Sequence, residues 1–145
     1  MVRLSPTVHG DGDKGFVAFF VNAARKKGAS VYVKEGNQRW AAVHRLDAAR
    51  LFRLALEKGR AGGIYHGVAD EGVRFGDIAA AIGQGLGVPA VSKSAFGALR
   101  ALGFFGFLAG LDGPASSRQT QQELGWSPTH PTLLEDLKSG IYFRG

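Results

Sequence analysis

The chain has 145 residues, 45% of them hydrophobic and 21% charged, with a net charge of +6. It is long enough to bury one core and too apolar for a disordered tail, so we expect a single domain over residues 1–145. The absence of cysteine excludes disulfide staples, a thiolate nucleophile and cysteine-held metal, and fits a cytoplasmic protein.

The opening residues 1–6 carry no apolar run of signal-peptide length, and the most apolar stretch, Ala101 to Leu111, is too short to span a bilayer. Val2 to Val8 reads as a strand closed by His9-Gly10. Phe16 to Lys27 reads as a helix with Phe16, Phe19, Phe20 and Ala23 on one face and Gly28 as its stop. Its terminal Arg25-Lys26-Lys27 is the one run of basic residues, and cations there complement the helix dipole. No RNA-binding signature or zinc-knuckle spacing accompanies it, so a nucleic-acid partner is not expected.

Ser30 to Val33 reads as a strand, Glu35-Gly36-Asn37 as a turn and Arg39 to His44 as a further extended segment. A helix follows from about Asp47, a good N-cap residue, to Lys58. Ile64 to Val68 reads as a short strand. Phe75, Ile78, Ala79, Ile82 and Leu86 mark an amphipathic helix ended by Gly87 and Pro89. Ala90 to Ser92 suits a strand, and Ser94 caps a helix with Phe96, Leu99 and Leu102. A small helix ends at Leu124-Gly125, within which Thr120 and Glu123 have capping-box spacing. The last helix starts near Pro131 and should bury Leu133, Leu134, Leu137 and Ile141. Alternating strands and helices indicate an α/β architecture.

Gly10-Asp11-Gly12-Asp13-Lys14-Gly15 matches the G-x-G-x-x-G dinucleotide pattern, with Glu35 following the next strand. Its chemistry argues otherwise. Asp11 and Asp13 would place two carboxylates beside the phosphates, each repelled by about 1–4 kcal/mol at ~4 Å in watery surroundings. Pro6 also suits a central parallel strand poorly. A glycine- and aspartate-rich surface loop is the favoured reading; the alternative is a small nucleotide-binding βαβ unit using Gly10, Gly12 and Gly15.

Three segments in order resemble the C-terminal half of extended and atypical short-chain dehydrogenases, the NAD-dependent epimerase/dehydratase superfamily. Arg3 to Gly10 resembles the strand and loop after the family's catalytic helix. Trp40 to Ala49 resembles its V-H-x-x-D-x-A motif, and Leu124-Gly125-Trp126-Ser127-Pro128 its L-G-W-x-P signature. The resemblance implies an incomplete Rossmann-like fold, C-terminal strands plus a helical substrate-binding subdomain, and an NAD(P)-dependent oxidoreductase or epimerase context.

It further implies that Pro6, Thr7 and Val8 face the cofactor's nicotinamide and that His9, Trp40, His44 and Asp47 lie on the substrate side. A helix N-cap is the plainer role for Asp47, and a packed strand-end histidine for His44. The family's cofactor glycine loop is not among these residues. Nor is its Tyr-x-x-x-Lys pair, since Tyr32, Tyr65 and Tyr142 have no lysine four places on. We therefore expect no catalytic residue, no tight NAD or NADP binding and no turnover by this chain alone. His66 and His130 lack metal-ligand spacing, so no metal is expected.

Where nucleotide-sugar enzymes of the family carry a phosphate-binding cation, four residues before the motif histidine, this chain has Trp40. That implies a smaller or more apolar small-molecule substrate. Expected partners are an N-terminal cofactor-binding half, or a second copy paired through the Val2 to Val8 edge or the apolar Leu102 to Leu111 segment, without a membrane partner. The alternative function is a non-catalytic binding or interaction module on the same scaffold.

Overall fold

A computed structural model describes residues 1–144. Among these residues seven short strands, mostly in pairs, are interleaved with three helices and followed by four more in a mixed α/β fold. The strands are β1 (Val2–Leu4), β2 (Thr7–His9), β3 (Ser30–Val33), β4 (Arg39–His44), β5 (Tyr65–Gly67), β6 (Asp70–Arg74) and β7 (Ala90–Lys93). The helices are α1 (Phe16–Lys27), α2 (Arg45–Lys58), α3 (Phe75–Leu86), α4 (Ala95–Leu102), α5 (Phe104–Ala109), α6 (Arg118–Leu124) and α7 (Leu133–Lys138).

The expected opening strand is two strands. β1 runs parallel to β5 with Leu4 opposite Gly67, whereas β2 runs parallel to β4 with Thr7 opposite Ala42 and His9 opposite His44. Pro6 has no N–H to give a ladder, so the chain changes partners there. Ser5 secures the switch by donating from both its amide and its Oγ to the Gly67 carbonyl. β3 and β7 form a separate parallel pair. β6 lies antiparallel to β4 across a register shift between Trp40 and Ala42.

β4 is the structural centre because both of its faces are buried, the pattern of a strand covered on two sides. Trp40 and Ala42 face a large core with Val17, Phe20 and Val21 of α1, Phe75, Ile78 and Ile82 of α3, and Leu133 and Leu137 of α7. Val43 points the other way, into a smaller core with Ala48 and Leu51 of α2, Tyr65, Leu124 and Trp126.

Several caps fall where the sequence places them: Gly28 and Gly87 take left-handed φ values of 68° and 69°, and the Ser94 side chain accepts from the Gly97 amide. Two do not. The α2 cap is His44, whose side chain accepts from the Leu46 amide, while Asp47 sits inside the first turn. The capping box belongs to α7, between Thr132 and Glu135. Thr120 and Glu123 are used elsewhere: the Thr120 hydroxyl accepts from the His66 amide, and the Glu123 carboxylate from Arg60 and Tyr65. α5 is a separate helix beyond Gly103. It packs on α4 because Gly106 has no side chain; a Cβ there would stand 2.0 Å from the Ala98 carbonyl oxygen.

Candidate functional site

The parallel register of β2 and β4 sets His9 beside His44, with ring centroids 5.4 Å apart and edges facing. α7 lowers Asp136 onto both rings. Its Oδ2 lies 2.5 Å from His9 Nδ1 and 3.7 Å from His44 Nε2. Leu46 N–H donates to His44 Nδ1, so a neutral His44 keeps its proton on Nε2, toward Asp136. His9 gives its Nδ1 proton to the same carboxylate, and its buried Nε2 has no partner among the described residues.

A second carboxylate continues the array. Asp47 is fully buried, accepts from the Thr129 and His130 amides, and takes a 2.7 Å bond from His130 Nδ1. Its backbone carbonyl receives the Trp126 indole N–H. The His130 ring stacks on His44 at 5.0 Å. Asp47 therefore clamps residues 126–130 to the start of α2, and the buried His9, His44, Asp47 and Asp136 adjoin a third, solvent-facing histidine, His130. Among the described residues no group of three or more His, Asp or Glu side chains is arranged to hold a metal.

Burial lowers the His44 imidazole below its ordinary 6.5, outweighing the pull of Asp136 in the other direction. Burial alone would raise the Asp47 carboxyl above 3.8, but the bonds from the His130 ring and the Thr129 and His130 amides hold it below. The signs follow from linkage. A depressed His44 makes stability fall as pH drops below about 6.5, where the unfolded chain takes the proton first, down to the folded value. A depressed Asp47 contributes stability above about 3.8 that is lost as pH falls through its folded value. The urea midpoint should thus be lower at pH 5.5 than at pH 7.5, and a His44→Asn variant should lose part of that difference. An unchanged midpoint in the native protein would contradict the assignment.

Pro6, just before β2, and Trp40 of β4 meet elsewhere. With Phe16, Leu108, Leu111, Asp112 and Gly113 they line an open, almost wholly apolar pocket of about 230 Å3. The indole N–H of Trp40 is spent on the Leu111 carbonyl at 3.1 Å, which leaves an apolar ring surface as the wall. Thr7 and His9 are buried, and Val8 packs against the smaller core. The expected site residues therefore divide: Pro6 and Trp40 at the pocket, and His9, His44 and Asp47 in the array. A larger polar groove of about 630 Å3, beside Arg3, Arg60 and Arg118, is lined by none of them.

The glycine loop is not built as a phosphate cradle. The Gly10 amide donates to the Tyr142 hydroxyl, Asp13 N–H to the Gly10 carbonyl and Gly15 N–H to Asp13 Oδ1. Tyr142 in turn donates to Asp13 Oδ2 at 2.6 Å; burial, then that bond, push the phenol well above its usual range. Moreover, β2 and β3, on either side of the loop and α1, belong to different sheets, so the βαβ unit of the alternative reading does not form.

Sequence reasoning missed Asp136 and the bond between His130 and Asp47. Asp136 had a signal: it lies three residues after Leu133 and one before Leu137, an acid on an apolar helix face. The His130 contact spans 83 positions and had none.

No family model matches the chain. It is 51% identical over 143 residues to an uncharacterized protein of Schizosaccharomyces pombe, covering 99% of this chain and 48% of that one. An uncharacterized protein of Saccharomyces cerevisiae is 49% identical over 139 residues, with 96% and 47% covered. The chain thus spans about half the length of these curated relatives.

Among solved structures, it superposes on dTDP-glucose 4,6-dehydratase from Streptomyces venezuelae, solved with NAD bound, with a TM-score of 0.69 at 19% identity, covering 98% of this chain and 42% of the other. The UDP-glucose 4-epimerase of Thermotoga maritima gives a TM-score of 0.69 at 21% identity, with 98% and 44% covered. For the UDP-glucuronic acid 4-epimerase of Bacillus cereus, solved with NAD, the TM-score is 0.65 at 17% identity, with 98% and 43% covered. The fold is that of part of a Rossmann-like NAD-dependent epimerase or dehydratase.

Proposed function

We infer that this chain is the substrate-binding half of an NAD(P)-dependent oxidoreductase or epimerase-like protein, and that it depends on a complementary half for cofactor chemistry. The convergence of Pro6 and Trp40 on one apolar pocket carries the reading, since the residue proposed for the nicotinamide and the one proposed for substrate stand together. The fold it shares with NAD-bound dehydratases and epimerases supports it, as does its span of half the relatives' length.

In this reading Pro6, Thr7 and Val8 present backbone to NAD or NADP, and the part of Trp40 left open at the pocket contacts a small substrate carrying an apolar group and a carbonyl or hydroxyl. His9, His44 and Asp47 act behind that surface: the array holds β2, β4 and the 126–130 segment in register and leaves substrate contact to the pocket wall. The open edge of β1, paired only with β5 among the described residues, is where the complementary sheet adds. The compartment is the cytoplasm.

The test is calorimetric titration with NAD and NADP, of this chain alone and of this chain co-expressed with the portion of the S. pombe relative that it does not match. The expected result is micromolar binding by the pair and none by the chain alone. Micromolar binding by the isolated chain, or none by a purified, stable pair, would sink the proposal.

A further inference from the structure

We propose that the α4–α5 hairpin seats the protein on the surface of an anionic lipid bilayer. The hairpin exposes large apolar side chains in succession: Phe96 at 66%, Leu99 at 45%, Phe104 at 66% and Phe107 at 54%. Phe96 with Leu99, and Phe104 with Phe107, are each three apart on one helix and so share a face. The Phe104 and Phe107 rings lie 6.2 Å apart. Scattered exposed leucines are ordinary, but a run of this kind marks a surface that something covers.

The charges around it select the occupant. No acidic residue occurs between Asp77 and Asp112, while Lys93 and Arg100 lie within that span. Arg100 reaches over the Phe96 ring, 6.0 Å from its centroid. α1 contributes Lys26 and Lys27, which share a groove with Ala101 and Leu102 of α4, and α1 itself contains no acid. Asp112, the nearest carboxylate along the chain, accepts the Arg39 amide.

A second copy docked on this face would bring two cationic rims together without a counter-charge. An anionic bilayer satisfies both features, because apolar rings enter the acyl boundary while lysine and arginine meet the headgroups. At eight and six residues the helices lie along the interface, and no helix among the described residues is long and apolar enough to cross a membrane. Leu108 of α5 and Leu111, two residues past its end, line the apolar pocket. The inference does not depend on the cofactor chemistry proposed above.

The test is co-sedimentation of the 145-residue chain with phosphatidylcholine vesicles, with and without about 30% phosphatidylserine, at low salt and at about 0.5 M salt. Partitioning should be at least about tenfold stronger on the anionic vesicles and should fall with salt. Phe104→Ser/Phe107→Ser and, separately, Lys26→Glu/Lys27→Glu should each weaken it by about tenfold. Far-UV circular dichroism checks that both variants are folded. The lysine pair is exposed at a helix end, so it tests the idea even if the phenylalanine pair does not fold. Equal partitioning on neutral and anionic vesicles, no binding to either, or a wild-type dimer that the phenylalanine variant dissociates would each overturn the proposal.

Discussion

Replacing Asp47 with alanine is expected to cost the fold about 2–4 kcal/mol, because losing this fully buried acceptor leaves its donors unmatched at about 1–3 kcal/mol for each that stays shielded from water. The carboxylate is fully buried and serves two amides and an imidazole, so its removal strands three donors at once. Against a total of about 5–15 kcal/mol for a domain, that is a large share. Asp47→Asn should cost less, because the amide oxygen still accepts from one backbone N–H. Urea denaturation at pH 7.5 measures both. A loss below about 1 kcal/mol in the alanine variant would show that the 126–130 segment is held by other contacts.

Trp126→Ala should be of similar size, about 3–5 kcal/mol, for a different reason. Its ring is 1% exposed and fills the smaller core against Val43, Ala48, Leu51 and Tyr65, so truncation leaves a cavity that two strands and α2 cannot collapse to fill. Trp126→Phe keeps much of the volume and forfeits the N–H bond to the Asp47 carbonyl, for about 1–2 kcal/mol. Combined with Asp47→Ala, the loss should be less than the sum, since each substitution frees the same segment. Strict additivity would mean that the two residues act independently. With Trp126 gone, Trp40 is the remaining tryptophan of two, and its emission reports on the large core at the wall of the apolar pocket.

Elements that declare themselves locally were legible from the chain. α1 and α3 carry apolar stripes of helical period and end on glycines that take left-handed φ, and Ser94 caps α4 as its position suggests. β6 was not legible, because Asp70-Glu71-Gly72-Val73-Arg74 neither alternates nor is apolar. It is a strand because β4 offers it a ladder, and because the Asp70 carboxylate accepts the Leu133 amide at the head of α7. The Thr120 and Glu123 pairing failed for a related reason: distant partners, His66 and Arg60, claim both side chains.

The site divides in the same way. Pro6, Trp40, His44 and Asp47 stood out through motif resemblance, and the structure shows which of them meet. Asp136, which binds His9 and sits beside His44, is brought there only by the folding of α7 onto β4. A single chain read in order carries no record of that approach beyond an acid among leucines.

The change of sheet at Ser5-Pro6 makes the first ten residues a yoke. β1 is laced to β5 and β2 to β4, with two intervening residues that reach at most about 7 Å. The rim of β1, the pocket wall at Pro6 and the carboxylate array at His9 are thus strung on one short stretch of backbone.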